Sequence, residues 1–122
     1  MRNIQRLGFG LLAACGATAD ARAVPPTIPG AFLGTWDISK AACRRPSDAR
    51  LVISPRELRF HESIGTVRRV AAAGTNSIAV TADYQGEGER WRSEQRLSLS
   101  VGGRTLTLKG QGDGHVRVRC GR

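Results

Sequence analysis

From Leu33 onward, apolar side chains recur mostly at every second position, and short runs of them are separated by Gly, Pro, Asn, Asp and Ser. Period two means that each segment buries one face and wets the other, as a half-buried β-strand does. Leu33–Ser39 is the first strand. A polar loop, Ala41–Arg50, carries Cys43. Leu51–Ser54 is a short strand that stops at Pro55. Glu57–Ser63 alternates, with Leu58, Phe60 and Glu62 on one face and Glu57, Arg59 and His61 on the other. Gly65 begins a turn into a strand over Thr66–Ala73, where Val67-Arg68-Arg69-Val70 breaks the alternation and predicts a bulge. Ile78, Val80, Ala82 and Tyr84 share the inward face of the next strand. Gln85–Glu89 is a glycine-rich hairpin loop. Arg90–Ser100 is the longest strand, with Trp91, Ser93, Gln95, Leu97 and Leu99 turned one way. Gly102-Gly103 marks a tight turn. Leu106 and Leu108 face inward in the seventh strand, Gly110–Gly114 turns the chain, and Val116, Val118 and Cys120 make the inward face of the eighth.

The pattern predicts an all-β chain without a helix. Eight strands joined by short hairpins favour a small antiparallel up-and-down barrel, because closure removes exposed edges. An open sandwich is the alternative. An eight-stranded barrel is just wide enough to be filled by side chains or to hold one small ligand.

The N-terminus reads differently. Arg2 and Arg6 precede the apolar run Leu7–Ala14, as in a secretory leader, and the run is too short to span a bilayer. We expect residues 1–23 to be leader and tether, 24–31 an extended Pro-rich segment, and 32–122 the barrel. Leu12-Ala13-Ala14-Cys15 resembles the lipobox of bacterial lipoproteins, which implies lipidation of Cys15 and an outer-membrane anchor. Cleavage after Ala17-Thr18-Ala19 or Ala21-Arg22-Ala23 would instead release a soluble periplasmic protein. Either route removes Cys15 from the free thiols. Cys43 and Cys120 then remain as an even pair in an oxidising compartment, which predicts one disulfide.

Gly34-x-Trp36 on the first strand resembles the G-x-W signature of lipocalin-like (calycin) barrels. The resemblance implies that Trp36 plugs one barrel end and that a basic residue of the last strand, Arg117 or Arg119, packs across it. The same region, with Cys43 following, is also similar to periplasmic inhibitors of bacterial metalloproteases. In that family an extended N-terminal segment, here Val24–Phe32, enters the protease cleft. Those inhibitors pair two cysteines near the N-terminal side, whereas Cys43 has only Cys120 as partner.

The formal charge is +9, yet of the 19 basic residues only Lys40 and Lys109 are lysines. The arginines are spread along the chain without a nucleic-acid-binding motif, so no nucleic-acid partner is expected. A P-loop, a G-x-S-x-G elbow and an H-E-x-x-H motif are all missing from the sequence. His61 and His115 have no supporting ligands, so neither a metal site nor another cofactor is expected, and the chain does not read as an enzyme.

Glu62 is the notable carboxylate. Its parity puts it inward or at a barrel mouth, where Arg69 is the candidate partner. With Tyr84, Trp91 and Gln95 these residues form the candidate ligand site. The function expected is non-catalytic binding of a small ligand or envelope component by a monomer. The alternatives are a hydrolase inhibitor and a structural lipoprotein. Contact with the membrane is expected only through an acyl group on Cys15.

Overall fold

The computed structural model describes residues 25–110 and 114–121. The expected leader, with Cys15, lies outside the described residues. Eight strands follow in chain order: β1 (Gly34–Asp37), β2 (Leu51–Ser54), β3 (Glu57–Arg59), β4 (Ile64–Ala72), β5 (Ser77–Gly86), β6 (Glu89–Leu99), β7 (Thr105–Lys109) and β8 (Val116–Cys120). Each pairs antiparallel with the next, and β1 also pairs with β8, so the sheet closes into an up-and-down barrel. The open sandwich is thereby excluded. The β5–β6 hairpin turns on Glu87 and Gly88, with φ of 47° and 79°. Two successive positive φ values match the right-handed twist of the strands they join. The expected bulge is present, as a register shift between Val67 and Arg69.

The alternation produces the core. Ile78, Val80, Ala82 and Tyr84 from β5 meet Leu97, Leu106, Leu108, Leu51, Ile53, Leu58 and Val67 inside the barrel, all buried. Each Leu, Ile or Val so placed contributes about 1.5–3 kcal/mol relative to exposure. The segment before β1 crosses one end of the barrel. Ile28 and Phe32 are buried there, Ile28 N–H donates to Pro55 O at 2.8 Å, and a 3-10 turn over Gly30–Phe32 leads into β1. From Ile28 onward the segment expected to be extended packs against the end of its own barrel.

Four further expectations are revised. β3 ends at Arg59, and Phe60–Ser63 is a turn closed by Phe60 N–H to Ser63 O at 2.8 Å. The alternation in "ELRFHES" therefore does not carry Glu62 inward. Gly65 lies within β4, opposite Tyr84, where a Cβ would sit 2.5 Å from Tyr84 Cε1. Its missing side chain makes room for a ring.

β8 has the opposite parity to that expected. Arg117 and Arg119 face inward, Val116 is exposed, and Cys120 faces out. The last revision is a helix outside the sheet. Lys40–Arg44 forms a short α1 within the expected polar loop, packed on β1 and β8. Five residues make a helix too short to be stable alone. Ser39 Oγ accepts from Ala42 N–H at its start, and Arg50 donates to Ala42 O and Cys43 O, both at 2.9 Å, at its end. The Cys43–Cys120 disulfide, with Cα atoms 5.3 Å apart, fastens α1 to the outer wall. That bond is why Cys120 must face outward.

Candidate functional site

The two barrel ends are built differently. At the sealed end the Arg119 guanidinium lies 4.2 Å from the Trp36 ring centroid. It donates to Ala31 O (2.7 Å), Leu33 O (2.9 Å) and Gly103 O (3.2 Å), while Trp36 Nε1 donates to Phe32 O at 3.1 Å. A cation over an aromatic face, with its remaining N–H groups on carbonyls, can be buried without a counter-ion. Of the two expected partners for Trp36, Arg119 takes the role.

The opposite end is the mouth. It is formed by the Phe60–Ser63 turn, the Glu87-Gly88 hairpin, the loop before β2 and the start of β8. Two clefts flank the Phe60–Ser63 turn. One, of about 710 Å³, separates it from Gln85–Arg90, and the other, of about 450 Å³, reaches Asp48, His115 and Arg117. Arg117 is buried beneath the second cleft and its Nε donates to Ala49 O at 2.6 Å. Ala49 N–H donates in turn to Ser47 Oγ at 3.0 Å, and Ser47 is held by Asp37. That carboxylate is fully buried and accepts from Ile38 N–H (2.8 Å), Ser47 N–H (3.2 Å), Ser47 Oγ and Arg50 Nε (3.0 Å). Burial alone pushes the Asp37 carboxyl up. The donors from Ser47, Ile38 and Arg50 outweigh it and hold the group below its ordinary value.

Of the expected site residues, the fold gathers Tyr84, Trp91 and Gln95. Among the described residues β6 pairs with β7 only from Arg96 to Leu99, so the first half of β6 is paired on its β5 side alone. On its inner side Tyr84 stacks on Trp91, with centroids 5.6 Å apart and planes 13° apart. Phe60 approaches Tyr84 at 6.1 Å and 51°. Trp91 stays 37 % exposed, whereas Tyr84 and Gln95 are buried. Among the described residues Tyr84 Oη and Gln95 Oε1 have no hydrogen-bond partner. Burial pushes the Tyr84 phenol up to about 12, against a smaller opposing effect of the adjacent Gln95 amide.

Glu62 and Arg69 are not part of that inner cluster. Glu62 is an exposed rim residue whose Oε2 lies 3.7 Å from His61 Nε2, and its proximity raises the Glu87 carboxyl. Arg69 lies on the outer wall in register with Thr81, so the expected Glu62–Arg69 pair does not form. The bulge and the end of β3 reversed both parities. The buried Asp37–Arg50–Ser47 network escaped sequence reasoning altogether. Thirteen residues separate the acid from its arginine, and no local pattern marks either as buried.

Among the described residues no group of three His, Cys, Asp or Glu side chains is arranged to hold a metal ion. Comparison with protein-family models, with curated proteins and with solved structures yields no match to this chain.

Proposed function

We propose that this chain is an exported, non-catalytic binding protein of the lipocalin-like type that takes a small polar ligand or envelope component at the barrel mouth. The observation that carries the reading is the pair Tyr84 Oη and Gln95 Oε1, both buried and neither with a hydrogen-bond partner among the described residues. A buried polar group left without a hydrogen bond costs about 1–3 kcal/mol. A ligand able to donate to Gln95 and to pair with the Tyr84 hydroxyl recovers that cost. The Phe60, Tyr84 and Trp91 rings supply the apolar contact beside it. Two further features fit the reading. A disulfide suits an oxidising compartment. The Trp36–Arg119 plug leaves one end of the barrel to serve as entrance. Release as a soluble periplasmic protein, or retention through acylated Cys15, completes the proposal.

Native mass spectrometry of the chain recovered from the cell envelope tests it. We expect a non-covalent adduct on the wild type that is lost from the Trp91→Ala, Gln95→Leu double variant. A wild type carrying no adduct, or a variant that keeps it, removes the mouth as the site. Intact mass of the same material decides between acylated Cys15 and a mature start beyond it.

A further inference from the structure

Charge is segregated on this basic molecule. The exposed carboxylates Asp48, Glu62, Glu87 and Glu89 stand around the mouth. The outer wall of β4–β7 has the opposite character. Arg68 and Arg69 on β4, Arg90, Arg92 and Arg96 on β6, and Lys109 on β7 are all exposed there. Asp83 and Glu94 are the acids facing out on the same strands. Asp83 is clamped by Arg68 Nε (2.8 Å) and Arg92 Nε (2.6 Å), which fixes both arginines on the wall. Arg96 and Lys109 are directly opposite each other across β6 and β7, a like-charge pairing that costs stability unless an anion relieves it.

The shape of this wall matters as much as its charge. Between Arg69 and Arg96 the outward residues of β5 are the short Ala79 and Thr81. They separate Arg69 on the β4 side from Arg92, Glu94 and Arg96 on the β6 side by roughly 10 Å, two strand spacings. From β4 to β7 the cations cover about 14 Å across the strands, and from Arg90 to Arg96 about 20 Å along them. That is a two-dimensional field and not a single line of charge.

We propose that the β4–β7 wall docks on a bilayer surface of anionic phospholipid. A layer of phosphates that follows the curve of the barrel wall meets cations extended in two directions, where a single polyanionic strand would meet only one row of them. Guanidinium groups bind phosphate oxygens two at a time. The docking is independent of what occupies the mouth and of an acyl group on Cys15.

The test uses the full chain carrying Cys15→Ser, so that no acyl group contributes. Sedimentation with phosphatidylcholine vesicles, with and without phosphatidylglycerol, reads the affinity. We expect binding only to the vesicles containing phosphatidylglycerol, weakening as salt rises. At about 1 kcal/mol per cation near such a surface, Arg69→Gln with Arg96→Gln reduces the affinity about 30-fold. Arg44→Gln with Arg45→Gln removes the same charge at α1, across the barrel from β5, and leaves binding nearly unchanged. Equal loss in the two double variants would mean that net charge and not the wall is responsible, and would overturn the proposal. So would absence of binding to phosphatidylglycerol, or preference for soluble heparin over vesicles. Retention of the near-ultraviolet circular dichroism of buried Trp36 shows that each variant is folded.

Discussion

Asp37→Asn is the most informative single substitution, because it reaches the mouth through the core. The carboxylate accepts four hydrogen bonds, from Ile38 N–H, Ser47 N–H, Ser47 Oγ and Arg50 Nε. Its side chain is fully buried and that of Arg50 is 26 % exposed, so water screens the pair only on the arginine side. An asparagine keeps the volume but loses the charge, and one of its two head atoms can no longer accept. Removing one partner of a buried ion pair costs about 3–5 kcal/mol, and the part-exposed arginine brings the expectation to the lower end, about 3 kcal/mol. The loss spreads, because Arg50 also holds Ala42 O and Cys43 O at the end of α1 and Ala49 O holds Arg117. The Asp37 pKa is lowered on folding, so the stability it contributes is present above the unfolded carboxylate value. That stability disappears as pH falls through the folded value. Urea denaturation followed by tryptophan fluorescence across an acid-to-neutral series measures both effects. We expect the wild type to exceed Asp37→Asn by about 3 kcal/mol at neutral pH, with the gap closing in acid. A gap under about 0.5 kcal/mol, or one independent of pH, refutes the reasoning.

Three other expectations can be checked with the same denaturation assay. Reduction of Cys43–Cys120, which encloses a sequence separation of 77 residues, lowers stability by about 4 kcal/mol, and an unchanged urea midpoint with reductant would contradict this. Gly65→Ala drives a methyl into the Tyr84 ring and costs about 1–3 kcal/mol. The penalty vanishes in a Tyr84→Ala background if the ring is its cause. Tyr84 ionises only at about pH 12 in the folded protein, against its ordinary value of 10.0. Its raised pKa stabilises the fold below the ordinary value, and that contribution declines as pH rises toward the folded one. A spectrophotometric titration at the ordinary phenol value would show that the ring is open to water.

Much of the barrel was legible because period-two alternation is a local property. Ile78–Tyr84 and Trp91–Leu99 keep the same parity in the structure as in the sequence, and the bulge at Val67–Arg69 announces itself by breaking that parity. Cysteine counting identified the Cys43–Cys120 bond, and Gly34-x-Trp36 pointed to a plugged barrel end. The candidate site was half legible. Tyr84, Trp91 and Gln95 came together because they share one face of a single hairpin.

What the chain alone determined, then, is which residues alternate, where it turns, and which cysteines are left to pair. Tertiary structure decided where polar side chains go at the two barrel ends. Arg117 and Arg119 point inward although their strand offers Val116 and Val118, because Ala49, Ala31, Leu33 and Gly103 bring carbonyls to them from distant segments. Asp37 is buried because Ser47 and Arg50 return to it across α1. Hydrophobicity is written residue by residue. The partners that make a buried charge tolerable exist only once the sheet has closed.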